Sequence, residues 1–342
     1  MATDGTTRPD TLVTGATGFI GGHLTRTLVQ RGHRVRVLAR AGSDRSAFAD
    51  LEVAVEEGGL DDTAALERAT AGVRHIYHCA GMSADWGPWS QFARTNVDGV
   101  VNLVAAAAKA ETVERLLHVS TTDVYGYPEE LCDETAAVRD VGLPYNRSKI
   151  NGERALFAEA ERARLPWTVV RPATVYGPRD MVFGVEFAQL LQKRKMVLIG
   201  GGMRTAGLLY VSNAVDAMIT ACHSSATVEK VYNLRDPEPT TWREYVDALA
   251  TGLGLAAPTL SIPVPLAMAA GRVCEFAFTV LRKQSRPLLT RHAVLLLGID
   301  QSYPIDRARR DFGFGSGVSA AEGIARTVEW LQSPDGRRCV GH

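Results

Sequence analysis

The chain of 342 residues has no charge of a dominant sign: Lys and Arg number 38, Asp and Glu also number 38, and the formal net charge is zero. No long basic run occurs. That argues against a groove held to nucleic-acid phosphates and leaves a small molecule or another protein as partner. Cysteine is scarce and scattered. Cys79, Cys132, Cys222, Cys274 and Cys339 are odd in number and form no C-x-x-C pair. No disulfide framework and no metal site is implied, and a reducing compartment fits. The opening MATDGTTRPD lacks an apolar signal core. The longest uncharged stretch, 248–271, could span a bilayer by length, but Pro258, Pro263, Pro265, Gly252 and Gly254 interrupt it. It reads as a loop entering a helix. A soluble, cytoplasmic protein without a transmembrane segment is expected. No period of roughly 20 to 50 residues recurs, which argues against a solenoid.

What is present is an alternation. Short apolar runs, TLVTG at 11–15, RVRVLAR at 34–40, VRHIYHCAG at 73–81, RLLHVSTTDV at 115–124 and WTVVRPATVYG at 167–177, are separated by helical patterns. Ile20, Leu24 and Leu28 recur every four residues and stop at Gly32, a helix-ending glycine. Strands joined by helical crossovers make βαβ units and a parallel sheet, the α/β class. After Gly177 the texture changes. LLYVSNAVDAMITAC and KVYNLRD return to the sheet pattern, and the remainder from Pro237 is mostly helical with proline breaks.

VTGATGFIGGHL spaces Gly15, Gly18 and Gly21 at G-x-x-G-x-x-G between the first strand and the first helix. The first glycine allows the tight turn, the second a close approach of pyrophosphate, and the third close packing of helix on strand. The helix N-terminus then offers N–H groups to the phosphates. No G-K-[ST] follows, so this is not a Walker loop. Strand two ends in Arg40, with Ser43 and Arg45 close behind. A cation there pairs with a 2′-phosphate, so NADP(H) is expected over NAD(H).

In LPYNRSKINGE, Tyr145 stands four residues before Lys149 and shares its helix face. A phenol is a poor acid at neutral pH. An ammonium at about 4 Å and an effective dielectric of ~20 attracts a phenolate by about 4 kcal/mol, an upper bound of about three pK units. Many amphipathic helices carry such a pair without any chemistry. Context adds weight. HVSTTDVYG offers Ser120, Thr121 and Thr122 at the carboxyl end of a strand, where hydroxyls face a ligand crevice.

Taken together, TGATGFIG, HCAG, TNVDGVVNLV, HVSTTDVYG, YNRSK, RPATVYGP and LLYVSNAVDA resemble an extended short-chain dehydrogenase/reductase. The resemblance covers the first half of the chain and one later segment. It implies a Rossmann doubly wound parallel sheet with a smaller, mostly helical C-terminal substrate-binding region. It implies Tyr145 as acid/base, Lys149 as the residue that holds the nicotinamide ribose and lowers the tyrosine pKa, and Thr121 as partner of the substrate oxygen. Asn96 matches the asparagine near the proton relay. Gly15, Thr17, Gly18, Phe19, Ile20, Gly21, Ala80 and Gly81 would contact the cofactor. Leu60 would pack on the adenine, and Pro172 to Val175 would lie beside the nicotinamide. One departure stands out: Gly59 replaces the aspartate that often faces the adenine.

AGMSADWGPWSQFARTNVDG, PVPLAMAAGRVCEFAFTVLRKQSRPLLT and SYPIDRARRDFGF further resemble the 3β-hydroxysteroid dehydrogenase-like branch. Leu266, Met268, Val273, Phe276, Phe278, Val280 and Leu281 make a greasy segment. It suits a steroid, polyketide or long acyl substrate, or it is the core of a cap; a peripheral membrane contact is the weaker reading. Met82, Trp86 and Trp89 are substrate-side candidates, the tryptophans as pocket wall or loop anchor. The division expected is 1–177 with 208–236 for the nucleotide domain, 178–207 with 237–334 for the cap, and a flexible tail at 335–342. A ketone/alcohol oxidoreductase is the leading reading, with a homodimer compatible with it. Its rivals are a sugar-nucleotide epimerase or dehydratase with tightly bound NAD, whose diphosphate would need Lys193, Lys195 or Arg204, and a cofactor-sensing binding protein.

Overall fold

The structure is a computed structural model that describes residues 9–281, 283, 285–315 and 317–341. The first half runs β1 (Thr11–Thr14), α1 (Phe19–Gln30), β2 (Val35–Ala39), β3 (Ala54–Glu57), α2 (Thr63–Thr70) and β4 (His75–His78). It continues through α3 (Trp89–Ala93), α4 (Gly99–Ala110), β5 (Arg115–Val119), α5 (Pro144–Ala163) and β6 (Trp167–Pro172). Next come β7 (Thr174–Tyr176), α6 (Phe187–Gln192), β8 (Leu198–Ile199), β9 (Leu208–Tyr210), α7 (Val211–His223) and β10 (Lys230–Leu234). The C-terminal part holds α8 (Trp242–Gly252), β11 (Ser261–Ile262), α9 (Val264–Val280), α10 (Arg291–Gly298), α11 (Asp306–Phe312), α12 (Ala320–Gln332) and α13 (Pro334–Val340).

Seven parallel strands form the central sheet in the order β10-β6-β5-β4-β1-β2-β3. Strand order reverses between β1 and β4, and a crevice opens there beyond their carboxyl ends. This is the Rossmann arrangement. Leu12 and Val13 of β1 are fully buried because helices cover both faces. Leu24 and Leu28 of α1 and Val215 of α7 join one apolar cluster. Leu66 of α2, Leu103 of α4 and Leu156 of α5 join the other. At the β3 edge Glu56 pairs with Arg68, a charged side chain where no further strand follows.

Two expectations change. The run 167–177 is not one strand. Pro172 has no N–H to extend the ladder, and the chain leaves the central sheet there: β6 pairs with β10, whereas β7 pairs with β9 in a separate two-stranded sheet. The tail beyond 334 is not loose over its described part. Ser333 caps α13, Pro334 opens it, and Val340 packs into the main cluster. Among the described residues no helix is long and apolar enough to cross a membrane.

Candidate active site

The glycine turn is built by contacts that only glycine permits. Gly15 has φ +75°, and a Cβ there would lie 2.6 Å from the Ala80 nitrogen. A Cβ on Gly21 would lie 2.2 Å from the Gly15 carbonyl oxygen. The turn thus lies against the end of β4 and beneath the start of α1. No side chain caps α1, whose N-cap is Gly18, so its first N–H groups face outward beside Thr17, Phe19 and Ile20. This open cradle at a helix N-terminus, at the switch point of the sheet, fits a dinucleotide's pyrophosphate. Arg40 is exposed at the end of β2, and among the described residues its guanidinium forms no ion pair. Arg45 is instead engaged by Glu57. Leu60 packs on α4, where a Gly99 Cβ would meet it at 2.7 Å, and its carbonyl accepts from Asn102 at 2.9 Å.

The acid–base group comes from two elements. α5 opens with Pro144 at its first turn, and one helical turn separates Tyr145 from Lys149. Thr121 follows β5 and caps the short turn Thr122–Tyr125, its Oγ1 accepting from the Asp123 N–H at 3.2 Å. Thr121 also lies near enough to Tyr145 to act on its phenol. Ser120 does not share this role; its buried hydroxyl has no hydrogen-bond partner. Lys149 is buried and donates to the Val119 carbonyl at 2.7 Å. Burial pushes its pKa down to about 8, against the pull of Glu153, Cys79 and Asp123.

The structure revises the expected electrostatics of Tyr145. In the polypeptide the phenol is pushed up, by burial first and by the Asp123 charge second, and only the nearby Thr121 hydroxyl opposes this. The Lys149 ammonium donates to the Val119 carbonyl and is not among the groups that shift the phenol. Asn96 has a structural task that the sequence did not show. It sits buried in a π-helical turn, Arg94–Asp98. Its Nδ2 donates to the Met82 carbonyl at 3.0 Å and to Ser148 Oγ at 2.8 Å, while its Oδ1 accepts from the Met82 N–H at 2.8 Å. Both Nδ2 hydrogens and one of the two Oδ1 lone pairs are taken. Asn96 clasps the loop after β4 to α5.

A cavity of about 610 Å³ opens at the start of α5; Thr121, Tyr145 and Lys149 do not themselves line it. Leu143 and Pro144, just before Tyr145, form one wall; Trp86, Phe276 and Phe278 line others, with Arg272, Lys283 and Arg291 among its charged residues. Trp86 is therefore wall. Trp89 is a surface anchor: it is 40% exposed, and the Arg147 guanidinium sits 5.7 Å over its ring. The greasy segment is not a cap core. Leu266, Val273, Phe276, Val280 and Leu281 are exposed on α9 and just after it, because Ala267 and Gly271 form the packed face of that helix. Met82 lies over Gly87 of the same loop, and Pro172 and Val175 are buried at the β6–β7 junction.

Several functional neighbours escaped sequence reasoning. His292 of α10 stacks on Tyr145, with centroids 5.6 Å apart and planes at 14°, and its Nε2 lies 3.1 Å from Asp123 Oδ2. Arg286 joins Asp85 at 2.7 Å to Glu186 at 2.8 Å. Glu153 and Arg171 form a buried bidentate pair, at 2.9 and 2.5 Å, one helical turn beyond Lys149. Asp123, Glu153, Arg171, Asp85 and Arg286 lie inside quoted runs, but only their contacts reveal their part; His292 and Glu186 lie outside all of them.

Residues 11–234 match the NAD dependent epimerase/dehydratase family. The chain is similar to a 2-alkyl-3-oxoalkanoate reductase of Stenotrophomonas maltophilia, 32% identical over 327 residues, covering 92% of this chain and 97% of the relative. It is 29% identical over 322 residues to a 3β-hydroxysteroid dehydrogenase/Δ5→4-isomerase of Mycobacterium tuberculosis, covering 89% and 85%. Among solved structures it is similar to the UDP-glucose 4-epimerase of Thermus thermophilus in complex with NAD. The TM-score is 0.75 and the identity 25%, over 95% of this chain and 99% of that one. The chain belongs to the NAD-dependent epimerase/dehydratase family, as an extended short-chain dehydrogenase/reductase of the 3β-hydroxysteroid dehydrogenase-like branch, and is an NAD(P)-dependent oxidoreductase of ketones and alcohols.

Proposed function

We propose that the chain is an NADP(H)-dependent reductase of a hydrophobic ketone, a 3-oxoacyl compound of the kind its reductase relative takes. The observation that carries this reading is the placement of Thr121, at the end of β5, close enough to Tyr145 of α5 to act on its phenol, with Lys149 one helical turn further on. Bound nicotinamide supplies a hydride to the carbonyl carbon. Thr121 and Tyr145 hold the carbonyl oxygen between two hydroxyls, and Tyr145 gives it a proton. Lys149 supplies the cation that binds the ribose hydroxyls, and its own charge is retained below about pH 8. Asn96 fixes Met82 and Ser148 around them. Trp86, Phe276 and Phe278 take the apolar chain.

Arg40 supports the choice of NADP(H), since it is the cation at the end of β2 that no carboxylate engages among the described residues. The sugar-nucleotide reading lacks a comparable support. Lys193 and Lys195 are exposed, and Arg204 pairs with Asp300 at 2.8 Å. The test is turnover of 2-alkyl-3-oxoalkanoates of graded chain length with each nicotinamide, beside UDP-glucose as control. Activity that rises with chain length and prefers NADPH is expected. Turnover of the sugar nucleotide with retained NAD would overturn the proposal.

A further inference from the structure

His292 reaches the reacting group from the far end of the chain. Thr290 caps α10 and donates to Asp85 Oδ2 at 2.8 Å. Arg291 is held by Glu275 through its backbone N–H at 2.7 Å and its guanidinium at 2.6 Å. These contacts fix the first turn of the helix, so the next side chain has a defined place. The imidazole is 7% exposed. One face lies nearly parallel to Tyr145, and Nε2 donates to Asp123. The Tyr127 ring approaches at 6.0 Å, and Asp85 and Arg286 are the other charges that act on it.

Asp123 is the problem that this histidine answers. Its carboxylate opposes ionisation of Tyr145, yet Tyr145 must become a phenolate when it protonates a substrate oxygen. We propose, resting on the Tyr145 reading above, that His292 is a positioning residue: as an imidazolium paired with Asp123, it offsets the carboxylate's charge beside Tyr145 and eases loss of the phenolic proton. The proton itself passes from the Tyr145 hydroxyl to the carbonyl oxygen, and His292 keeps its own. A cation stacked on the ring is attracted to its π face and more strongly to a phenolate. Burial disfavours the imidazolium, but the Asp123 hydrogen bond and charge outweigh it, helped by Asp85 and opposed by Arg286, and hold His292 above its ordinary value.

The experiment compares wild type, H292Q, D123N/H292Q and Y145F in steady-state reduction with NADPH and a 2-alkyl-3-oxoalkanoate across pH. H292Q is expected to lose about tenfold or more in kcat, with KM changed by less than about twofold. The double variant should be at least about threefold faster than H292Q, because the uncompensated carboxylate is gone. The wild-type rate should fall as pH rises through the His292 imidazolium. H292Q should lack that fall and keep the one near about 8 that belongs to Lys149. A wild-type profile in H292Q, or a double variant no faster than H292Q, overturns the proposal. D123N alone leaves His292 in place and guards against a misfolded H292Q: its imidazolium limb should move to lower pH, and an unmoved limb also overturns the proposal. Turnover retained in Y145F removes the underlying reading and this one together. Loss in Y145F with normal H292Q removes this one alone.

Discussion

The nucleotide end and the cap are held by different physics. Around β1 and α1 the chain is fixed by backbone approaching backbone: a Gly21 Cβ would overlap the Gly15 carbonyl, and a Gly15 Cβ the Ala80 nitrogen. Around α9 and α10 it is held by side chains reaching across the fold, Arg286 to Asp85, Arg291 to Glu275 and His292 to Asp123. The first region tolerates no added atom. The second carries an exposed apolar helix face and pairs in which partly exposed arginines reach carboxylates that are largely buried. A rigid cofactor cradle facing an adaptable substrate wall is a sound division for an enzyme branch whose members take different ketones.

The largest effect expected from breaking this contrast lies under α5. Replacing Glu153 by Gln leaves the Arg171 guanidinium buried against a neutral partner and should destabilise the fold by about 3 kcal/mol, read by denaturant midpoint. It should also lower the Lys149 pKa further below about 8, since Glu153 acts to raise it. The alkaline fall in the reduction rate then moves to lower pH. In wild type the two slopes should oppose each other. Folded Lys149 titrates near about 8 and the unfolded residue near 10.5, so the folded chain binds fewer protons between them. This group's stability contribution is therefore complete above the higher value and is lost as pH falls through the lower one. Activity runs the other way.

Gly21→Ala comes next. The added methyl must displace backbone, so about 1–3 kcal/mol of stability and at least about tenfold in NADPH affinity should go, measured by fluorescence titration. Arg40→Ala should weaken NADPH by about tenfold and leave NADH within about twofold, a split that kinetics with both cofactors reads directly. The smallest effect belongs to the cap: Arg286→Ala should cost about 1 kcal/mol, because Arg286 and Glu186 are partly exposed and Asp85 keeps its Thr290 hydrogen bond. It should raise KM for the ketone more than it lowers kcat, since it frees the loop that carries Trp86. Equal losses at both ends would erase the contrast.

The same division decides what could be read from the sequence. Gly15, Gly18, Gly21, Thr121, Tyr145 and Lys149 lie in short segments whose spacing alone states their neighbours, and the parallel sheet follows from alternation of strand and helix. The cap's contacts join residues with no local spacing. Asp123 and His292 are 169 residues apart in the chain, and Asp85 and Arg286 are 201 apart. The apolar run at 264–281 has a helical period, but period does not say whether its face meets a core, a ligand or water. Asn96 was placed correctly in the chain, but its bonds to Met82 and Ser148 depend on how α4 meets α5.

The most direct test of the account is NADPH oxidation by the wild-type and Tyr145→Phe proteins, given a 2-alkyl-3-oxoalkanoate. Wild type should consume NADPH with formation of the 3-hydroxy product. The variant should lose at least about a hundredfold in kcat while binding NADPH as before. A Tyr145→Phe protein that turns over near the wild-type rate would contradict it.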